Sequence, residues 1–152
     1  MHYPVLVAPN LKAGWRTGSA PMGGRAAFVE SAERLTVLVV DDEIDLADVT
    51  AELLRAHGFD AVVAYSGADA LRLLREDEKI AAVFSDVMMP EMTGLDLAEV
   101  MAKDFPRVKL VLTSGYKFPS ISAQDTFACA FLAKPYRIEA VIDLLKCSPP
   151  AQ

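Results

Sequence analysis

Four short apolar runs of this sequence each end in a side chain that can do chemistry. In chain order, these side chains are the pair Asp41 and Asp42, then Asp86, Thr113 and Lys134. Runs of small, β-branched and aromatic residues closed by a turn signal are typical of buried strands. Parallel strands of one sheet share a carboxyl-end edge, which is where open α/β folds carry their sites. The pattern therefore predicts one site with three carboxylates, a hydroxyl and an amine.

The predicted carboxylates suggest a cation. Two carboxylates about 4 Å apart repel by about 4 kcal/mol at an effective dielectric constant near 20. Mg²⁺ suits such oxygen ligands because it accepts one or two carboxylates together with water and phosphate oxygens. With Lys134 and Thr113 beside it, the site suits a phosphoryl group, and Asp86 could act as the nucleophile. Taken alone, Asp86 could equally be a turn or helix-capping residue.

The elements that position these residues alternate along the chain. Strands are predicted at residues 36–40, 60–65, 81–86, 108–113 and 128–133. Helices are predicted between them, the first with an apolar face of Ile44, Leu46, Val49, Leu53 and Leu54. Ser66 and Thr93 have N-capping spacing, whereas residues 117–127 predict only a short or irregular helix. This alternation predicts a five-stranded parallel sheet, doubly wound, with helices on both faces.

Composition and length favour one globular domain. The chain has 152 residues, of which 53% are hydrophobic and 24% charged. Residues 1–34 contain many Pro and Gly without periodicity and predict a flexible extension, followed by a folded domain over 35–147 and a short tail over 148–152. The net charge is +2 for residues 1–34 and −8 for the rest, which argues against nucleic acid as a partner.

Cysteine content and hydropathy indicate the cellular compartment. Cys129 and Cys147 are far apart and the chain has only two His, so neither a disulfide framework nor a zinc site is expected. No apolar stretch reaches the length of a membrane helix. We expect a cytoplasmic protein without a membrane partner.

Four segments together resemble a known family. They are Val39-Val40-Asp41-Asp42-Glu43, Ser85-Asp86-Val87-Met88-Met89-Pro90-Glu91-Met92-Thr93-Gly94, Val111-Leu112-Thr113-Ser114 and Lys134-Pro135-Tyr136. They look like the receiver domains of bacterial two-component response regulators, in order and over about residues 35–147. The resemblance implies a flavodoxin-like fold with strand order 2-1-3-4-5.

The resemblance also implies a role for each matching position. Asp86 would accept a phosphoryl group from a histidine kinase or a histidine phosphotransfer protein. Mg²⁺ would be bound directly by Asp42, with the help of Asp41 through water or as part of the acidic pair, and also by Asp86 and the Met88 backbone carbonyl. Lys134 and Thr113 would contact the phosphoryl group, Pro135 would follow a cis peptide bond, and Thr113 and Phe131 would form the switch.

Several interpretations remain open beside these roles. Thr113 could be an ordinary strand-end residue, Phe131 a core aromatic, and Tyr116 and Tyr136 exposed ring surface. In the family, the positions of Met88 and Gly115 influence hydrolysis, and neither residue can orient water, so slow autodephosphorylation is expected.

Three functions are compatible with the sequence. The first is a phosphorylation-switched module that binds a downstream protein partner and could also form a homodimer, whether it is free-standing or part of a hybrid kinase. The second is a pseudo-receiver that binds partners without phosphorylation. The third is a phosphohydrolase with an Asp nucleophile, although enzymes of the haloacid-dehalogenase type have a second Asp where this chain has Met88.

Overall fold

The computed structural model describes residues 34–115 and 129–147. Within these ranges the strands are β1 Thr36–Val40, β2 Asp60–Ala64, β3 Ile80–Asp86, β4 Lys109–Ser114 and β5 Ala130–Ala133. The helices there are α1 Ile44–Ala56, α2 Gly67–Glu76, α3 Gly94–Asp104 and α4 Ile138–Lys146. The predictions for residues 1–33, for the segment 117–127 and for the tail 148–152 lie outside the described residues.

The strands form one parallel sheet in the order β2-β1-β3-β4-β5. The predicted fold and strand order are thus confirmed. β5 begins at Ala130, later than predicted, and first pairs with Val111 of β4. Because all strands run in the same direction, the carboxyl ends of β1, β3, β4 and β5 lie side by side at one edge.

Both faces of the sheet are buried, which explains the uninterrupted apolar strands. Val37 and Val39 of β1 pack into a cluster with residues of α1 and α4. Leu38 and Val40 pack on the opposite face, in a cluster with residues of α2 and α3. The doubly wound arrangement predicted from the strand and helix order is therefore present.

The buried face of α1 differs from the prediction. Ile44, Val49 and Leu53 are exposed, with 54%, 55% and 42% of their surface accessible. The helix instead buries the residues Ala47, Thr50, Ala51 and Leu54. These positions follow a three- and four-residue spacing, and their small side chains let the helix backbone approach the sheet closely. An exposed apolar strip remains on α1.

The two predicted N-caps are present, one in full and one in part. Thr93 Oγ1 accepts a hydrogen bond from the Asp96 amide at 3.2 Å, and Asp96 Oδ2 accepts one from the Thr93 amide at 2.9 Å. Ser66 Oγ accepts from the Asp69 amide at 3.1 Å, without a reciprocal bond among the hydrogen bonds described for α2. These caps satisfy N–H groups of the first turn and fix where α3 and α2 begin.

Two other sequence expectations can be compared with the structure. Cys129 and Cys147 are both free thiols in the structure. Within residues 34–115 and 129–147, no helix has both the length and the apolar character to cross a bilayer.

Candidate functional site

Three carboxylates converge at the carboxyl edge of the sheet. Asp41 and Asp42 directly follow β1, and Asp86 is the last residue of the neighbouring strand β3. One oxygen from each lies within 4.8 Å of the others. Asp41 and Asp86 are buried, with 6% and 8% of their surface accessible, whereas Asp42 is exposed. The cluster thus has a buried floor and an open side.

Lys134 supplies a positive charge to this cluster. It follows β5, and its amide donates to the Ser114 carbonyl at 3.0 Å, which fixes the start of the loop after the strand. Its ammonium nitrogen lies 3.5 Å from Asp86 Oδ1. The peptide bond between Lys134 and Pro135 is cis. Lys134 therefore faces the three carboxylates from the β5 side.

Thr113 lies beside Asp86, because the two residues are register partners in β4 and β3. Its surface is 2% accessible. Within the described part of the chain, its Oγ1 has no hydrogen-bond partner. A buried hydroxyl without a partner costs about 1–3 kcal/mol. Thr113 therefore has an uncommitted donor next to the Asp86 carboxylate.

The surroundings of Asp41 disfavour its ionised carboxylate. Burial raises its pKa, and the nearby charge of Asp86 raises it further. The Glu43 amide, which donates to Asp41 Oδ1 at 2.9 Å, opposes this shift. A divalent cation would relieve the same repulsion, and carboxylate oxygens are the ligands that Mg²⁺ prefers. The donor set therefore fits Mg²⁺.

The loop between β3 and α3 places backbone atoms close to Asp86. The Val87 amide donates to the Thr113 carbonyl at 2.9 Å, and the Gly94 amide donates to the Val87 carbonyl at 2.8 Å. A Cβ atom at residue 94 would lie only 2.5 Å from the Asp86 carbonyl oxygen. Only glycine lets α3 begin this close to the end of β3. In this loop Glu91 has a positive φ of 67°.

Met88 lies in the same loop, two residues after Asp86. Its amide donates to Asp86 Oδ1 across 3.4 Å, and 53% of its surface is accessible. The predicted use of its carbonyl as a metal ligand stays a prediction.

Phe131 is the predicted site residue that lies outside the acidic cluster. It is in β5 opposite Leu112, and its partly buried ring packs against the cluster formed with α2 and α3. This packing agrees with the core interpretation and leaves the switch role as a prediction. The structure thus brings together Asp41, Asp42, Asp86, Thr113 and Lys134.

Sequence reasoning missed the environment of Tyr136. Its ring is partly buried and meets the Phe84 ring edge-on, with centroids 5.4 Å apart and planes at 86°. The interpretation of Tyr136 as exposed ring surface is therefore wrong, because the loop after β5 folds the ring against β3. No local spacing signals this contact, although Pro135 does limit where the ring can go. Tyr116 lies outside the described residues.

The sequence that carries this site matches a known protein family. Residues 37–146 match the model of the response regulator receiver domain. The chain belongs to the response regulator receiver family. Receiver domains are regulatory modules of two-component signalling, so the site belongs to a regulatory domain.

Individual relatives agree with this assignment. This receiver domain resembles the sensor kinase CckA of Brucella abortus (strain 2308), with 32% identity over 154 residues that cover 93% of this chain and 16% of the kinase. A receiver domain structure from Methylobacillus flagellatus has a TM-score of 0.67 and 29% identity, covering 75% of this chain and 98% of that one. A receiver domain structure from Clostridium thermocellum has a TM-score of 0.69 and 26% identity, covering 72% of this chain and 90% of that one.

The curated relatives are longer than this chain. The match spans 16% of CckA, 24% of an NtrX-like response regulator of Rickettsia bellii and 48% of MrkE of Klebsiella pneumoniae. What these proteins do as wholes is therefore not transferred to this chain by the match.

Proposed function

We propose that this receiver domain accepts a phosphoryl group on Asp86 in a Mg²⁺-dependent reaction and thereby switches its binding to partner proteins. One observation carries the proposal. The carboxylates of Asp41, Asp42 and Asp86 lie within 4.8 Å of one another, and the Lys134 ammonium lies 3.5 Å from Asp86 Oδ1. A compact acidic cluster with one cation at its edge suits a ligand that brings both a metal ion and negative oxygens.

Asp86 is the nucleophile in this proposal. Its Oδ1 faces the Lys134 ammonium and the Met88 amide, which leaves Oδ2 to attack phosphorus. The new bond joins Oδ2 to phosphorus as the bond from phosphorus to the donor's imidazole nitrogen breaks, and that nitrogen keeps the electron pair. With acetyl phosphate the breaking bond is to oxygen, and acetate leaves. Water attack on the aspartyl phosphate later restores the carboxylate and releases phosphate.

The neighbouring side chains stabilise the charge that the reaction brings in. Lys134 can move from the Asp86 carboxylate to a phosphoryl oxygen, since both lie on its side of the site. The uncommitted Thr113 hydroxyl can donate to another phosphoryl oxygen and so gain the partner that it lacks among the described residues. When bound by Asp41, Asp42, Asp86 and the Met88 carbonyl, Mg²⁺ supplies charge neutralisation at the remaining oxygens.

The partners follow from the same chemistry. We propose a histidine kinase or a histidine phosphotransfer protein as the donor, in keeping with the sensor kinase CckA among the relatives. A downstream protein would contact the face that carries Phe131. The strand β5, which carries Phe131, pairs with β4, so a movement of Thr113 in β4 would shift β5 as well. The formation of a homodimer and a cytoplasmic location stay predictions.

Intact-mass measurement tests the proposal. The protein is incubated with acetyl phosphate, with and without Mg²⁺, in parallel with Asp86→Asn and with Asp104→Asn as the control, since Asp104 is exposed at the end of α3 opposite to the one that meets Asp86. We expect one added phosphoryl group with Mg²⁺ in the wild type and in Asp104→Asn, and none in Asp86→Asn.

The other outcomes favour the other functions. If neither an adduct nor free phosphate forms, the domain is a pseudo-receiver that binds partners without phosphorylation. If phosphate is released continuously at many turnovers per site without an adduct, the domain is a phosphohydrolase. An adduct that persists in Asp86→Asn would place the acceptor elsewhere.

A further inference from the structure

The strand β2 lies at one edge of the sheet. Among the described strands it pairs with β1 alone. The Asp60 amide donates to the Leu35 carbonyl at 2.9 Å, so the backbone groups of Asp60 face β1. Because these groups alternate between the two sides of a strand, those of Ala61 and Val63 point away from the sheet. Outward N–H and C=O groups of an edge strand can pair with another chain.

The outward carbonyl of Ala61 has a partner in α1. The Arg55 guanidinium donates to this carbonyl through Nη2 at 2.8 Å. Through Nη1 it also donates to Glu52 Oε2, three residues earlier in α1, at 2.7 Å. The guanidinium is planar and its donors are fixed relative to one another, so two bonds set its orientation. Arg55 therefore covers the beginning of the β2 edge.

The helix α1 also contacts the other end of β2. Tyr65, which directly follows the strand, donates its hydroxyl proton to Asp48 Oδ1 at 2.7 Å. Asp48, Glu52 and Arg55 are four and three residues apart, so they lie on one side of the helix. This row of polar side chains therefore follows β2 from Ala61 to Tyr65.

An uncovered β2 edge would suit a second copy of this chain. In an antiparallel pair about a twofold axis at Val62, Ala61 of one copy lies opposite Val63 of the other. Each of these residues then donates its N–H and accepts with its C=O. The strand residues after Asp60 are small or β-branched and uncharged, so no like charges oppose one another. The Ala61 carbonyl that this pair requires is the one that Arg55 binds.

We propose that Arg55 covers the free edge of the sheet and so prevents a second copy of the chain from adding its own β2 there. A second copy has to displace the guanidinium from the Ala61 carbonyl in both molecules, which breaks one charge-assisted hydrogen bond in each. Ala61 lies near the amino end of β2, whereas the acidic site lies at the carboxyl edge of the sheet. The role of Arg55 is therefore separate from the phosphoacceptor function.

The experiment compares matched arginine variants of the full chain. Arg55→Ala removes the guanidinium from the β2 edge. Arg72→Ala is the control, because the Arg72 guanidinium also bridges two carboxylates of its own helix, those of Asp69 and Glu76. Among the contacts of the described residues, Arg72 donates to no backbone carbonyl. Arg55→Met, which keeps an apolar stem, tests the same contact if Arg55→Ala does not fold.

Two measurements together detect the contact and locate it. Sedimentation over a range of protein concentrations gives the association constant. Amide hydrogen exchange, followed by NMR over the same range, shows whether the outward N–H groups of Ala61 and Val63 become protected. A dimer formed through any other surface leaves these two amides in fast exchange, so the second measurement is specific for the β2 edge.

We expect Arg55→Ala to raise the association constant at least about tenfold, because one hydrogen bond in each copy no longer has to be broken. The Ala61 and Val63 amides should exchange more slowly at high concentration in this variant only. Adding Val63→Pro to Arg55→Ala should restore the wild-type association constant. Proline removes an N–H that points outward, which β1 does not use.

Three results would overturn the proposal. The first is an equal association constant in Arg55→Ala and Arg72→Ala. The second is association of Arg55→Ala that leaves the Ala61 and Val63 amides in fast exchange, since the contact would then lie elsewhere on the chain. The third is a double variant that carries Val63→Pro and still associates as strongly as Arg55→Ala alone.

Discussion

Removing the buried charge of Asp41 should stabilise the metal-free domain. Its carboxylate lies within 4.8 Å of those of Asp42 and Asp86, and each such pair repels by about 3.5 kcal/mol at an effective dielectric constant near 20. The attraction between Asp41 and Lys134 and the screening by water around the exposed Asp42 offset much of this repulsion. We expect Asp41→Asn to raise the free energy of unfolding by about 1–2 kcal/mol. Asn keeps an oxygen that can accept from the Glu43 amide, so that hydrogen bond survives.

Urea denaturation with and without Mg²⁺ measures this effect. The midpoint of Asp41→Asn should rise by about 0.5–1 M at an unchanged slope. Mg²⁺ at about ten times its dissociation constant should stabilise the wild type by about 1.4 kcal/mol and the variant by much less. Glu78→Gln, which removes an exposed loop carboxylate, controls for net charge. A metal-free Asp41→Asn less stable than wild type, or equal stabilisation of both by Mg²⁺, would refute the reasoning.

The stability gained in Asp41→Asn should depend on pH. Burial and the charge of Asp86 raise the pKa of Asp41 in the folded, metal-free protein above its value in the unfolded chain. Protonation of Asp41 therefore contributes to the free energy of unfolding. This contribution is complete below the pKa that Asp41 has in the unfolded chain, and it is lost as the pH rises through its pKa in the folded protein. The stability advantage of Asp41→Asn should be largest near neutral pH and should shrink as the pH falls toward about 4.

The remaining predictions concern packing, partner docking and phosphoryl lifetime. Gly94→Ala should destabilise the domain by about 2–4 kcal/mol in urea, because its Cβ would lie 2.5 Å from the Asp86 carbonyl oxygen; a cost below about 0.5 kcal/mol would contradict this geometry. Ile44 lies just after the acidic loop and is 54% accessible, so we expect a histidine phosphotransfer protein to dock on it. Ile44→Asp should therefore slow phosphoryl transfer from that protein and leave the rate of phosphorylation by acetyl phosphate unchanged. Equal slowing of both reactions would argue against docking at Ile44. The aspartyl phosphate should outlast seconds, and Met88→Asn, which adds an amide that can orient water, should shorten its lifetime about tenfold; a wild-type half-life of only seconds would contradict slow hydrolysis.

Most of the fold could be predicted because its signals are local. The β1 run is apolar without interruption, and the spacing from Thr93 to Asp96 marks a helix start with both capping bonds present. The buried face of α1 was predicted wrongly, since Val49 and Leu53 are apolar but exposed while Thr50 is buried. The pattern of apolar residues shows that the segment is a helix. The side of the helix that faces the sheet also depends on side-chain size, because close packing against a strand favours small side chains. That preference depends on the neighbouring strand and not on the helix sequence.

The sequence by itself determined which residues are available at the site and that they share one sheet edge. Asp41, Asp86, Thr113 and Lys134 each end an apolar run, and parallel strands bring such ends together. This inference needs only strand direction, which the alternation of strands and helices supplies.

Only the tertiary structure decided the distances and the supporting contacts. The approach of Lys134 to Asp86, the uncommitted Thr113 hydroxyl and the place of Tyr136 against Phe84 depend on side chains far apart in the chain. The Lys109 ammonium similarly donates to the Leu144 carbonyl, 35 residues away, at the end of α4. Such contacts are set by how the elements pack, and no local pattern of residues encodes that packing.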